Sequence, residues 1–443
     1  GEKSVARKGF GETCHNRYLY AESDDGIVWR KPPVGRTLAD GARQVLSAGV
    51  AELLDGEGLL HGRHYLLNRP LLACWLRCES LGRQVKRDCF CAEARRQLAD
   101  MTRHALRFAR HGGDAMLGPA VQEGDADLLR AAAALIGSPK DRMLAAMVPA
   151  HGQAKGARGK IPKLPLPATQ SEWAATALLR TDWSPTSQRV AVVHAGQAVQ
   201  LELGCGRDTI LTGHWSLSVL RDGCELLPRS DWEQVCWVSD ADMDYLELEI
   251  ELDGGVRVQR QVALAHEDRF LFLADAILGE QPGRLEYRAC LPLAGGVTFQ
   301  PALEGREGSL EGTKRRAVVF PLALPEWRSL CAAGELQATS AGLQLTHAAK
   351  AARLYAPLFF DLNRHRFARP YTWRRLTVGE SLESQPDDVA VGYRVAIGRK
   401  QWLIYRSLAG VGNRTLLGHN LSTEALIGRF DAQGEVEPLI EVE

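Results

Sequence analysis

A chain of 443 residues, 45% hydrophobic and 24% charged, is long enough for two or three domains, each with its own core. Its ten cysteines follow no disulfide-framework spacing, and no run approaches the ~20 apolar residues that span a bilayer, which excludes a disulfide-stapled module and a helical membrane protein. Net charge is zero, yet residues 1–170 carry 26 Lys and Arg against 18 Asp and Glu, and residues 171–443 carry 28 against 36. A basic first half can attract an anionic ligand, and the two halves can attract each other.

Residues 1–37 are polar and turn-rich, with Tyr18, Tyr20 and Trp29 available to pack against later elements. From Leu38 to Leu54 the apolar residues recur on one helical face. A second helical segment runs from Tyr65 to Gly82, starting around Pro70, a residue tolerated in a first turn. The clearest helix spans Cys91 to Arg110: Ala94, Leu98, Met101, Ala105 and Phe108 form its stripe, five Arg enrich its other faces, and His111-Gly112-Gly113 ends it. Ala126–Ile136 and Lys140–Val148 complete the helical part. Cys74, Cys78, Cys89 and Cys91 match no common structural zinc spacing, so buried free thiols are expected here, and no metal. Residues 151–170, rich in Gly, Lys and Pro, read as an exposed connector.

Beyond the connector the period changes. Leu246, Leu248, Ile250 and Leu252 alternate with Glu247, Glu249 and Glu251, Asp253-Gly254-Gly255 turns the chain, and a return strand starts at Val256 with a bulge expected before Val262. The DADMD stretch at Asp240–Asp244 lacks the Gly and Glu of a calcium loop and reads as a lead into this strand. Hairpin-sized units recur to the end with almost no helix between them, which indicates large antiparallel sheets packed face to face. The fold class expected is α+β multidomain: helical hairpins over residues 1–150, packed as a bundle or a partial (α/α) toroid, then a large antiparallel β-sandwich over residues 171–443.

Three segments resemble the heparinase II/III-type polysaccharide lyases and their relatives. Trp173 to Trp183 (WAATALLRTDW) resembles the opening of that family's sandwich, and Arg189 to Leu211, with its turn HAGQ, resembles the strand pair that follows; His64 to Gly82 resembles the toroid helix that begins with an Asn-His pair. The resemblance implies an N-terminal (α/α) toroid, a C-terminal β-sandwich, and action on or binding of an acidic polysaccharide, by β-elimination if catalytic. It also marks departures. His194 lacks the second His and the Asp or Asn of the family pattern, Arg63-His64 stands where the Asn-His pair would fall, and no Tyr occurs between Tyr65 and Tyr245. The helical half is short for a complete toroid, which suits a chain cut from a longer one.

Elimination from a uronic-acid polymer needs a group that neutralises the carboxylate, a base for the adjacent proton and an acid for the leaving oxygen. The resemblance offers His64, Tyr65 and His194 as catalytic candidates and Arg63 as a substrate-binding one. His64 and Tyr65, adjacent on a helix, point about 100° apart. His214-Trp215 is a weaker candidate. The richest polar-aromatic cluster is Asn363–Arg375, where Arg364, His365, Arg366, Arg369, Tyr371 and Trp373 combine guanidinium forks with sugar-stacking rings; the same composition also suits pairing with acidic strands such as Glu247–Glu251. No nucleotide-binding, serine-hydrolase or zinc-protease motif appears, and no cofactor is expected. The expected partner is an acidic polysaccharide or oligosaccharide, with a non-enzymatic carbohydrate-binding or structural protein on a degenerate lyase scaffold as the alternative. Nucleic acid is the weaker anionic partner, and oligomeric state is not legible.

Overall fold

The computed structural model describes residues 36–119, 125–148, 164–431 and 433–443. Tyr18, Tyr20, Trp29 and most of the expected connector lie outside the described residues. The helical lobe consists of α1 (Arg36–Leu53), a 3-10 turn (Gly62–Leu67), α2 (Asn68–Gln84), α3 (Ala92–Arg107), α4 (Asp125–Leu135) and α5 (Pro139–Met147). Helix α3 follows its stripe closely: Ala94, Leu98, Met101 and Ala105 are buried with Leu72, Trp75 and Leu129. The Cys91 sulfur caps it, accepting from Ala94 N at 3.4 Å, and Ser138 and Asp141 form a capping box on α5. Cys74 corrects the buried-thiol expectation. On α2 the inward face is Leu72, Trp75, Leu76 and Glu79, which turns Cys74 to solvent, while Cys78, Cys89 and Cys91 are partly buried against the helical core. No helix among the described residues is long and apolar enough to cross a membrane.

A first sheet holds β1 (Thr169–Ser171), β2 (Thr176–Arg180), β3 (Gln188–Val193), β4 (Gln200–Cys205) and β5 (Asp208–His214) in sequential antiparallel order. The central sheet follows with β6 (Ser216–Arg221), β7 (Cys224–Glu225), β8 (Glu233–Ser239), β9 (Met243–Leu252), β10 (Val256–Ala265), β11 (Phe270–Leu291), β12 (Thr298–Pro301), β13 (Gly308–Glu311), β14 (Arg315–Pro321), β15 (Gly334–Thr339) and β16 (Gly342–Asp361). The chain then alternates between two smaller sheets. Strands β17 (Tyr371–Leu376), β18 (Val378–Glu380), β19 (Glu383–Ser384), β20 (Ala390–Ile397), β21 (Lys400–Ser407), β22 (Arg414–Leu416), β23 (His419–Leu421), β24 (Ala425–Phe430) and β25 (Val436–Val442) give the orders β17-β20-β21-β24-β25 and β19-β18-β22-β23.

The sheets stack in layers. On one face of the central sheet, Leu246, Leu248, Val258, Val262, Leu271 and Leu273 pack on Val190, Val192, Leu201 and Leu203 of the first sheet. On the other face, Tyr245, Phe270, Phe272 and Phe359 pack on Trp373, Val395, Trp402 and Ile404 of the third. Period-two alternation supplies both cores from the same strands; each fully buried large side chain contributes about 1.5–3 kcal/mol. The Asp253–Gly255 turn is present, with Gly254 and Gly255 both at positive φ. The expected bulge is absent: β10 pairs with β9 in unbroken register from Val256 to Ala265. Val262 stays in phase with Val256 and Val258 because Arg260 fills the intervening core position. Its guanidinium pairs with Asp275 through Nε at 2.8 Å and Nη2 at 2.9 Å, and lies over Trp215 and Trp232. Two of the three Glu residues of β9 are met by Arg: Arg406 bonds Glu247 at 2.9 Å and Arg257 bonds Glu249 at 3.0 Å.

Candidate functional site at the lobe boundary

The helical lobe docks on the outer face of the first sheet. Leu59, Phe108 and Met116 meet Ala174, Leu178 and Ala191 in a small apolar core, with Tyr65 packed beside it. Buried Glu202 fastens the joint, accepting from Arg110 Nε at 2.8 Å, Arg110 Nη2 at 2.6 Å and Leu117 N at 2.7 Å. Ser171 donates to Asp55 at 2.6 Å, and Arg180 donates to the Arg107 carbonyl at 3.1 Å. The Arg110–Glu202 pair and an exposed Arg63–Asp231 pair at 3.5 Å realise the attraction between a basic first half and an acidic second one.

The 3-10 turn carrying three of the sequence candidates lies at this boundary. Gly62 N donates to the Ala174 carbonyl at 2.7 Å, and a Cβ on Gly62 would stand 2.8 Å from Val193 Cγ1 and 3.0 Å from that carbonyl. Only glycine permits so close an approach. His61 caps the turn, its Nδ1 accepting from Arg63 N at 3.2 Å, and its ring meets Trp173 edge-on at 5.5 Å. Burial, then the nearby Arg63 and His64 charges, hold the His61 imidazole below its ordinary pKa. Trp173 remains half exposed. Arg63 and His64 face solvent, while the half-buried Tyr65 ring meets Phe108 edge-on at 5.8 Å. Burial raises the Tyr65 phenol above its ordinary range, so it retains its proton at neutral pH.

His194 lies beneath the same boundary. On β3, Val190 and Val192 face the sandwich core, Ala191 faces the helical lobe, and Val193 and Ala195 flank Gly62. His194 follows directly after β3, with Nδ1 3.5 Å from the Trp232 carbonyl. It is 2% exposed, Nε2 has no partner, and burial lowers its pKa to about 4. Arg63 and His64 thus stand at the surface, Tyr65 turns inward onto Phe108, and His194 is buried against the Asp231–Trp232 segment that also pairs with Arg63. His214, the weaker candidate, is exposed and has Nδ1 3.2 Å from the Val199 carbonyl.

The Asn363–Arg375 cluster sits at the opposite end of the first sheet. Arg315 donates to the Phe367 carbonyl at 3.2 Å and its neighbour Arg316 pairs with Asp208, at the far end of β5 from His214; six residues of strand separate the ends by about 20 Å. The cluster is also divided. Arg366 is buried, bonded to Asp361 and to the Asp268 carbonyl at 2.7 Å, with its guanidinium over Trp402. Trp373 is core, and Tyr371 donates to Glu307 at 2.9 Å. Arg364, His365 and Arg369 are exposed.

A cavity of 220 Å³ opens behind Tyr65, lined also by Asn68, Arg69, His104, Phe108 and Asp125. Arg69 Nη2 donates to the Ala105 and Gly113 carbonyls, whereas Nη1 has no partner. Sequence reasoning passed over Arg69, His104, His61 and Trp173. The available signal was a histidine next to Ala105 in the α3 stripe, and glycine directly after His61. Among the described residues no group of three or more His, Cys, Asp or Glu side chains is arranged to hold a metal ion.

No protein-family model matches the sequence, and no curated protein does. Solved structures do. The chain is similar to the heparan sulfate lyase HepC from Pedobacter heparinus, with TM-score 0.60 and 12% identity over 84% of this chain and 62% of that one. It is also similar to the heparinase III BT4657 gene product (TM-score 0.58, 10% identity, 84% and 62%) and to a further heparinase III (0.55, 11%, 83% and 63%). The fold is thus heparinase-like, a helical lobe followed by stacked antiparallel sheets. The chain spans about three-fifths of the length of those structures.

Proposed function

We propose that the chain binds an acidic polysaccharide at the lobe boundary, along the surface made by His61, Arg63, His64, Trp173 and Asp231. The observation that carries this reading is the exposed guanidinium of Arg63 and imidazole of His64 on the 3-10 turn, with the half-exposed Trp173 indole of the β1–β2 connection set edge-on to His61 beside them. Arg63 is the group for a carboxylate or sulfate, and Trp173 is the face on which a sugar ring stacks. The proteins of similar fold are named heparinases and heparan sulfate lyases, which favours this ligand class. Binding rather than cleavage is favoured because Arg63, His64 and Trp173 are open to solvent, whereas His194, the sandwich imidazole that elimination would use, is 2% exposed.

A second reading keeps chemistry on the turn alone. His64 would take the proton beside the uronate carboxylate, Arg63 would stabilise the developing charge, and Tyr65, which keeps its phenol proton, would protonate the leaving oxygen. One experiment separates the readings. Retention on immobilised heparin should fall with added salt and fall further for Arg63→Ala, His64→Ala and Trp173→Ala, without ultraviolet-absorbing unsaturated uronate appearing in solution. Accumulation of that product, abolished by His64→Ala, would establish the elimination reading. Retention unaffected by all three substitutions would remove the boundary site.

A further inference from the structure

On the far side of the central sheet from the helical lobe, a groove of 570 Å³ runs between edge strand β17 and the segment Leu322–Cys331 that leaves β14. Its volume falls in the range of about 300–1,000 Å³ typical of small-ligand sites. The walls are fixed. Trp373 is buried and donates from Nε1 to the Leu324 carbonyl at 3.2 Å, and Thr372 donates to Glu326 at 2.8 Å. Trp327 bridges to Gly305, and Arg328 N donates to the Glu304 carbonyl at 2.8 Å, pinning the segment from behind. Trp327 nevertheless leaves 47% of its surface to solvent. Arg374 is exposed and makes no ion pair or side-chain hydrogen bond among the described residues, and Arg375, paired with Asp387, stays 57% exposed. Two guanidinium groups line the groove against one carboxylate, Glu326.

The geometry points to this groove as a second, independent subsite for an anionic saccharide chain, an inference that rests on the reading of the protein as a polysaccharide binder. The Trp327 face takes a sugar ring, and Arg374 takes its carboxylate or sulfate. The unpaired cation beside a half-exposed indole on a pre-formed wall is what selects a charged sugar over a neutral one. Arg364, Arg366 and Arg369 are not needed: the part of the Arg-rich cluster that serves this groove is its last three residues, Trp373 to Arg375.

Cys331 is exposed and lines the groove, so it reports occupancy directly. Iodoacetamide labelling at Cys331, followed by peptide mass spectrometry, should slow when a heparin tetrasaccharide is added and stay unchanged with cellotetraose. Arg374→Ala, an exposed position, should raise the tetrasaccharide concentration needed for protection about tenfold, the effect of losing one hydrogen bond to a charged group; Trp327→Ala should act likewise. Protection should persist in Arg63→Ala/His64→Ala. Unchanged labelling, equal protection by cellotetraose or by single-stranded DNA, or protection indifferent to Arg374→Ala overturns the subsite. Loss of heparin-column retention in the Arg63/His64 variant with no Cys331 protection in any form would leave the boundary reading standing alone. Protection at Cys331 with retention indifferent to Arg63 and His64 would leave this groove alone.

Discussion

Replacing Glu202 with Gln tests how the helical lobe is held on the sandwich. The carboxylate is fully buried and receives Arg110 through two guanidinium nitrogens, the Leu117 amide, and Thr212 Oγ1 at 3.2 Å. Gln preserves the shape but turns one acceptor into a donor facing other donors, and it leaves the Arg110 charge, only 14% exposed, without its counter-ion. Breaking a buried pair from one side costs about 3–5 kcal/mol. Arg110 keeps its bonds to the Gly118 and Pro119 carbonyls at 3.0 and 3.2 Å, which places the expected loss at the low end, about 3 kcal/mol. That is a large part of the 5–15 kcal/mol typical of a folded domain. Urea unfolding followed by circular dichroism and tryptophan fluorescence measures it. The Arg110→Met/Glu202→Leu double variant should lose less than Glu202→Gln, because replacing both partners leaves no buried charge. A loss below about 1 kcal/mol for the single variant, the value of an ordinary surface pair, would show that the Arg110–Glu202 pair does not fasten the joint and that the remaining contacts hold the lobes.

Burial holds His194 at a pKa of about 4 and His104 at about 3. Unfolded, both take up protons near pH 6.5; their stabilising contribution is complete above that pH and is lost as pH falls toward 4, at up to about 1.4 kcal/mol per unit for each. Urea midpoints across this window should therefore drop with acid, and His194→Gln should flatten the slope; an unchanged slope would show that His194 does not titrate with unfolding. Gly62→Val, whose side chain meets Val193 Cγ1 and the Ala174 carbonyl, should displace the 3-10 turn and weaken heparin retention by an amount comparable to Arg63→Ala, and retention equal to wild type would refute it. Arg366→Ala should lower the unfolding midpoint by removing a buried cation from Asp361, on the order of 3 kcal/mol, while Arg364→Ala leaves it within about 0.5 kcal/mol. Equal effects of the two would refute the division of the cluster into core and surface.

Much of the layout was legible because it rests on period alone. The α3 stripe and the leucine face of β9 are encoded in local sequence and are buried as read, whereas the other face of β9 is also covered, with Tyr245 and Glu247 buried. The misreadings occur where a polar residue sits in an apolar position. The bulge expected before Val262 is absent because Arg260 fills a core position, and its partners, Asp275 and the two indoles Trp215 and Trp232, come from three other segments. Likewise Arg366 looks like its exposed neighbour Arg364, and only the end of β16, through Asp361, decides which one turns inward. His194 is legible as a histidine just after β3; that it is buried depends on Trp232, 38 positions later in the chain. Residue type announces the chemistry, but long-range packing chooses which copies are available for it.

Strands β11 and β16, 22 and 20 residues long, impose an order of assembly. Leu271 and Phe272 are adjacent in sequence yet belong to different interiors, so neither flanking layer has a template until this pair has joined across the intervening chain. Such distant pairing is slow, and meanwhile both greasy surfaces of the pair stand uncovered. During synthesis β17, β20, β21, β24 and β25, which cover the second surface, emerge after this pair, and a ribosome pause before them would leave that surface open.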